Sequence, residues 1–512
     1  MNQLIHYLSM IPQTKELVVL IGENADCRFI EAACKMICLE RMVIFTNSHE
    51  VKKKVIHIID SLPTDTENHV PECIEFCDSN EYDHYRPMFN PTAFCFDAVK
   101  SNADIVRFST MNPQYVFGIV HKDYTNAFVI WESFRHNAEK IYIISNHAND
   151  ETLNWSKGSS NIELSVIFPM YNIAKYLPEC VESIRKWQAD YVEYLFIDDG
   201  SPDNCAEIIQ HYAGSDSRIK LLKKKNGGCA SARQYGLEHA RGRYIGFIDP
   251  DDYIDTTMFK KLFERALCGS YEIAYCGYNE LYESDGSTRE IPDLYGKPYS
   301  IGTVNQESIN RLISYLRVAI WRGIYARDLI ERNNIHFYTD LRRFDDLPFK
   351  VEVLSKARSV VAIPEHLYYY RLARPGQDVA ANDERLYVHF PIFNYLDQFI
   401  RKSSDQSQLD CLQIVKIHTH KYALEKIQPE YVREYMRQAQ KDIRSNFKYL
   451  EGAYIIRNEG RRILLWYTAL YFGLKSLCKA LLMHNKKDRD SMAKVKEKLK
   501  KLADLNRSGN AV

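Results

Sequence analysis

Between residues 164 and 248, four short apolar runs (164–169, 194–198, 218–222 and 244–248) alternate with segments of helical spacing. The clearest helical segments are 176–187, 203–212 and 231–240. Parallel strands need long crossovers, and helices are the usual crossover, so strict strand–helix alternation implies a sheet covered by helices on both faces. The expected fold class is therefore α/β with a mostly parallel, doubly wound sheet. Ser201-Pro202 should cap and open the second helix, and Gly242 should close the third.

In an open parallel sheet, ligands bind beyond the C-terminal ends of the strands. The first run is followed by Pro169-Met170-Tyr171-Asn172, the second by Asp198-Asp199-Gly200-Ser201, and the fourth by Asp249-Pro250-Asp251-Asp252. Five aspartates from two strands would then converge on one crevice. They would repel one another unless a cation, a base or a ribose filled the gap. Cleaving a bond to a nucleoside diphosphate places negative charge on the leaving phosphate, which a carboxylate-held Mn²⁺ or Mg²⁺ would neutralise. A lone Asp-Asp-Gly is usually a surface turn. The case here rests on two acidic strand ends, together with the glycine turn Asn226-Gly227-Gly228 that opens a helix carrying Arg233.

With these residues in place, the chain resembles the inverting family-2 glycosyltransferases of the GT-A fold, the group that includes bacterial capsule, O-antigen and exopolysaccharide enzymes. Four blocks carry the resemblance: LSVIFPMYN (164–172), FIDDGSPD (196–203), NGGCASARQYGLEHARGRYIGFIDPDD (226–252) and, more loosely, FDDLPF (344–349). HLYYYR (366–371) is similar to the aromatic and arginine segment that closes such domains.

The resemblance implies a nucleotide site of Pro169, Tyr171, Asp199, Arg233 and Asp249, in which Tyr171 stacks on the base and Asp199 hydrogen-bonds it. It implies a metal motif of Asp249 and Asp251, with Asp252 assisting or touching ribose. Asp346 would be the general base and Asp345 would help place the acceptor. The family usually has Glu-Asp in that block, so the first acid here is one methylene shorter. Arg371, Arg374 and His366 could also reach the diphosphate, or serve ordinary surface and core roles.

The implied reaction moves a sugar from a nucleotide-diphosphate donor, UDP in most relatives, to a glycan or lipid-linked acceptor with inversion, in bacterial surface polysaccharide synthesis. A second reading is an inactive nucleotide-sugar-binding module of the same fold. A nucleotidyltransferase would want a glycine- and lysine-rich phosphate loop near the first strand, which 169–172 does not offer.

The remaining chain is less specific. At 512 residues it exceeds one core, and we expect three parts: an α/β domain of unknown function (1–150), the GT-A domain (162–382) and a helical region (383–512). In the first part, 17–21, 42–45, 105–108, 115–120, 127–131 and 141–144 are strand candidates, 29–39 is a helix candidate, and Gly22 could face a phosphate. Its role stays open between a degenerate nucleotide-binding domain, a second enzyme and a scaffold. The polar stretch 146–161 is the expected linker.

Lys plus Arg equals Asp plus Glu at 67 each, so no global field favours nucleic acid. The 13 cysteines show no zinc-knuckle spacing and are expected to be free thiols in a reducing cytoplasm. The opening residues show no basic-then-apolar pattern, so no secretory leader is expected, and without a run of 18 uncharged apolar residues no spanning helix is expected either. Residues 463–474 are twelve uncharged residues rich in aromatics, and 475–512 carries 11 basic and 4 acidic residues. The stretch 461–512 could lie on the inner face of the plasma membrane, or it could pack against the protein with a solvated basic face.

Overall fold

A computed structural model of the chain describes residues 153–292, 306–372, 381–402 and 405–474, and before them 16–21, 41–46, 48–61, 73–77, 93–97, 113–120 and 124–145, with isolated positions at 27, 30 and 476. Seven strands build the N-terminal sheet: β1 Glu16–Ile21, β2 Arg41–Phe45, β3 Cys73–Cys77, β4 Ala93–Asp97, β5 Tyr115–Val120, β6 Lys140–Ser145 and β7 Leu153–Ser156. Their order is β3-β2-β1-β4-β5-β6-β7, and every pair is parallel except β6/β7. The expected strand at 127–131 is instead part of the helix Tyr124–Phe134. Its apolar run is long enough for either element, but Ala127, Phe128, Trp131 and Phe134 recur at helical spacing and are all buried. Apart from the isolated position 30, the candidates at 29–39 and 105–108, and Gly22, lie outside the described residues.

The expected linker is only partly one. Residues 153–156 complete the N-terminal sheet, with Trp155 buried and its indole N–H donating to Glu163 Oε1 at 2.8 Å. The N-terminal unit is docked rather than tethered. Trp131 meets Tyr191 edge-on at 5.0 Å and Phe263 at 5.4 Å, and Phe128 lies 6.3 Å from Phe263. Arg135 pairs with Asp190 and lies 4.7 Å over the Tyr191 ring. Rings in edge-to-face contact stabilise beyond the area they bury, so this seam belongs to a common core.

The second sheet has nine strands: β8 Leu164–Met170, β9 Val192–Asp198, β10 Ile219–Lys223, β11 Tyr244–Phe247, β12 Tyr253–Ile254, β13 Ile273–Tyr282, β14 Thr288–Ile291, β15 Gly323–Ala326 and β16 Val360–Leu372. The order β10-β9-β8-β11 is parallel, as the alternation requires. Beyond it β15 runs antiparallel to β11 and β13, β16 runs parallel to β13, and β12 and β14 pair at the margins, so the sheet is mixed. β9 is buried along its whole length, as a central strand covered on both faces should be.

Two helix boundaries differ from expectation. The second helix, Cys205–Ala213, starts after Asn204. Ser201 and Asp203 tie down the turn instead: Ser201 N–H donates to Asp198 Oδ1 at 2.9 Å, and Asp203 Oδ2 accepts from Ala174 N–H at 2.9 Å. The third helix, Cys229–His239, ends at Ala240 in an extended conformation. Gly242 is required for close approach, because a Cβ there would meet Ser165 N at 2.4 Å.

Five helices follow: His389–Arg401, Gln406–Lys426, Pro429–Ile443, Tyr449–Ile456 and Arg461–Tyr471. Ile392, Phe393 and Leu396 share a core with Phe349 and Val353 of the helix Asp346–Lys356, so no clean seam lies near residue 383. Trp466, Tyr467, Ala469 and Leu470 are buried in the helical cluster, and Gln440 Nε2 donates to Tyr471 O at 2.9 Å. The aromatic face of 461–471 thus packs against the protein. Among the described residues, no helix is long and apolar enough to cross a membrane.

Candidate active site

Neighbouring strands lie about 5 Å apart, so the C-terminal ends of β9, β8 and β11 form one rim. Pro169 is half-buried near the end of β8. Tyr171 follows with 51% of its surface exposed, and Asn172 turns the chain with φ of +55°. At the end of β9, Asp199 is 2% exposed. Its carboxylate accepts from Gly227 N–H at 3.0 Å, Gly228 N–H at 2.7 Å and Lys224 Nζ at 2.6 Å. Gly228 enters the next helix with φ of +89°, a conformation that suits glycine. Asp199, expected to bond a base, therefore spends most of its acceptor capacity on holding the glycine turn against the sheet.

Arg233, on the helix Cys229–His239, is buried and forks between two acids. Its NH1 donates to Asp345 Oδ2 at 2.8 Å and its NH2 to Asp249 Oδ1 at 2.5 Å. A planar guanidinium suits this double link. It joins the end of β11 to the start of the helix Asp346–Lys356, across about a hundred residues of sequence. Asp345, expected to help place the acceptor, is thus drawn inward and is 4% exposed. Asp346 starts the helix half-buried, and its carboxyl is pushed up to about 7, first by burial and then by the charge on Asp345.

The four residues 249–252 separate by their partners. Asp252 is 1% exposed, and both of its carboxylate oxygens are engaged. Oδ2 accepts from the Tyr368 hydroxyl at 2.8 Å and Oδ1 from Arg371 N–H at 2.7 Å. Burial, with the charges of Asp251 and Asp249, pushes its carboxyl well up. Asp252 thereby ties the loop to β16. Arg371 braces the same loop: Nε donates to Asp251 O at 2.8 Å and NH2 to Glu179 Oε2 at 2.5 Å. Arg371 is committed to the frame, His366 packs against Gly277 in β13, and Arg374 lies outside the described residues.

Among the described residues, no three His, Cys, Asp or Glu side chains are grouped to hold a metal. Asp249 and Asp251 remain as hard-oxygen donors, and Asp249 keeps 28% of its side chain exposed. Mg²⁺-type sites commonly use one or two carboxylates and take their other ligands from phosphate and water. The like-charge crowding that raises Asp252 is the kind of field a divalent ion relieves, so the donor set fits such an ion once a diphosphate is present.

Several functional neighbours carry no sequence signal strong enough to single them out. Lys224 sits in a run of three lysines, and only its contact distinguishes it. Glu179 is one of two acids on the helix Leu177–Arg185. Tyr368 could have been found, because a strand reading of 366–371 puts Tyr368 and Tyr370 on one face. Trp321 stacks on both, at 4.0 and 5.3 Å.

Residues 165–313 match the profile of the family described as Glycosyl transferase family 2. The "Uncharacterized glycosyltransferase EpsJ" of Bacillus subtilis is 37% identical over 213 residues, covering 41% of this chain and 60% of that protein. "Glycosyltransferase GlyG" of Streptococcus pneumoniae is 32% identical over 214 residues, 41% of this chain and 70% of that one. The chain thus spans well under two thirds of the EpsJ length. Among solved structures, residues 1–349 of S. aureus TarS, a protein also crystallised with UDP-GlcNAc, superpose with a TM-score of 0.52 over 63% of this chain and 90% of that one, at 17% identity. That likeness carries the fold, which is GT-A. With the profile match and the coverage of GlyG, it follows that the chain belongs to the family-2 glycosyltransferases.

Proposed function

We propose that the chain transfers a sugar from a nucleoside-diphosphate donor, UDP by preference, to a hydroxyl of a glycan or lipid-linked acceptor, with inversion. The observation that supports this reading is the Arg233 fork, which links Asp249 to Asp345, the residue next to Asp346. Tyr171, exposed at the rim, offers its ring face to the base. Asp199 sets the glycine turn under the nucleotide through the Gly227 and Gly228 amides. Mn²⁺ or Mg²⁺ held by Asp249 and Asp251 would neutralise charge on the departing diphosphate.

Asp346 takes the proton from the acceptor hydroxyl as that oxygen attacks the anomeric carbon opposite the diphosphate. The C–O bond to phosphate breaks in the same displacement, so the configuration inverts. A carboxylate titrating near 7 is suited to this, because it is strong enough as a base yet substantially ionised at neutral pH. Asp345, fixed by Arg233, sets where that base points.

The setting we propose is cytoplasmic surface-polysaccharide synthesis. Because the aromatic face of 461–471 is buried, any contact with the inner face of the plasma membrane falls to the basic residues from Lys475 onward. The alternative, an inactive nucleotide-sugar-binding module, predicts binding without turnover. Thermal-shift measurements with UDP, GDP and dTDP plus Mn²⁺, followed by hydrolysis assays on a panel of nucleotide-sugars, separate the two. UDP stabilisation with metal-dependent release of UDP supports the enzyme. Stabilisation with no release from any donor supports the module, and no response to any nucleotide refutes both.

A further inference from the structure

Phe344, immediately before the acid pair, has φ of +54°, a left-handed conformation that residues with a Cβ rarely adopt. A conformation of this kind persists only when its surroundings enforce it. The surroundings here come from two directions. Phe344 packs against the core beneath the helix Asp346–Lys356 and also against the C-terminal helical core. On the C-terminal side its ring faces the His389 imidazole, with centroids 5.2 Å apart. Its carbonyl accepts from Leu347 N–H at 3.2 Å and so starts the helical turn that carries Asp346.

His389 is itself held by a buried chain of polar groups. Its Nδ1 lies 3.0 Å from the Tyr435 hydroxyl, which lies 3.1 Å from His420 Nδ1, and His420 Nε2 lies 2.8 Å from Asp442 Oδ2. Lys416 Nζ then links Asp442 to Asp397, at 2.8 Å to each. The Tyr435 hydroxyl has one proton for two imidazoles. An Asp442 carboxylate needs an N–H from His420 Nε2, and the Tyr435 hydroxyl can donate to one imidazole while accepting from the other. The four side chains are thus tied to one another in a buried polar network, and such networks are rigid when their members are paired.

We infer that Phe344 is a positioning residue for the Asp345/Asp346 pair and that the His389–Tyr435–His420–Asp442 network of the C-terminal helices holds it in place. The helical region is then a working part of the catalytic unit. The inference deepens the glycosyltransferase reading and rests on it.

The test uses the full chain. Phe344→Gly keeps a backbone that tolerates positive φ and removes the ring, whereas Phe344→Leu keeps an apolar side chain against His389. For Phe344→Gly the expected result is a kcat for sugar transfer or donor hydrolysis lowered about tenfold or more, with the donor KM and UDP binding changed less than about twofold, since misplacing a base harms the reacting geometry and not the nucleotide site. Phe344→Leu should recover kcat to within about threefold of wild type. Tyr435→Phe, remote from the crevice, should reproduce the loss in kcat, and the double variant should be no worse than Phe344→Gly alone, because coupled sites are not additive. Unchanged kcat in Phe344→Gly, or losses that multiply in the double variant, would overturn the assignment while leaving the enzyme reading intact. Absence of turnover by the wild type would overturn both.

Discussion

Replacing Asp346 by Asn tests the site through two opposite effects. In the folded chain the Asp346 carboxyl is raised from 3.8 to about 7 by burial and by the neighbouring Asp345. An unfolded chain releases that proton near pH 4. Between these values the folded state binds more protons than the unfolded one, so stability falls as pH rises. Above 7 the ionised carboxylate is a full liability. Three pK units correspond to a ceiling of about 4 kcal/mol, and screening at a half-buried position reduces this to roughly 1–2 kcal/mol. Asn removes the liability. The variant should therefore melt higher than wild type at pH 8, by a margin that shrinks at pH 5 and vanishes below about pH 4. Its kcat should fall by about 10²–10⁴, the usual worth of a general base. Melting curves at the two pH values and initial rates at saturating donor would measure both. A margin that does not change with pH, or a loss of kcat under about tenfold, would refute the assignment. For the wild type, the same titration predicts that kcat/KM rises with pH through about 7 in the free enzyme.

Arg233→Met strands Asp345 and Asp249 without their shared cation. We expect a destabilisation of about 3–5 kcal/mol and loss of transfer, read by urea denaturation and donor turnover; a wild-type denaturation midpoint would show the fork to be inert. Asp251→Ala should abolish the extra thermal stabilisation that Mn²⁺ adds to UDP, which in wild type at a hundredfold excess over Kd is about 2.7 kcal/mol, while weak UDP binding through Tyr171 survives. An Mn²⁺ effect of wild-type size in the variant would exclude Asp251 as a ligand. Deleting 475–512 should weaken co-sedimentation with anionic liposomes and leave turnover of soluble donors unchanged; equal sedimentation of both forms would remove the membrane proposal.

The sequence makes the parallel half of the catalytic sheet legible because its elements alternate in period. The runs 164–169, 194–198, 218–222 and 244–248 all became strands within one or two residues of their expected bounds. Where period fails, so does the reading. Five apolar residues at 127–131 suit either element, and only the aromatic seam with Tyr191 and Phe263 makes them one face of a helix. Residues 153–156 look like linker because two of the four are polar and the flanking stretch is turn-rich, yet the pairing with β6 and the burial of Trp155 outweigh composition. The mixed half of the sheet, where β15 runs antiparallel to β11 and β13 and β16 lies parallel to β13, depends on contacts between segments far apart in the chain, for which local spacing carries no information.

The aspartates make the same point within the site. In sequence Asp199, Asp249, Asp251, Asp252, Asp345 and Asp346 are alike, each an acid beside a turn. Their partners divide them. Asp199 is bound to the Gly227 and Gly228 amides, Asp252 to Tyr368 and the Arg371 amide, and Asp345 to Arg233. A carboxylate whose oxygens are already engaged stabilises the frame, and it does so because leaving it unpaired in that buried position would be costly. Asp346 differs in that burial and the neighbouring Asp345 raise its carboxyl to about 7, and Asp249, although it shares Arg233 with Asp345, keeps 28% of its side chain exposed. Motif position narrows the choice to six residues, and the partners supplied by remote segments give each of the six a different environment.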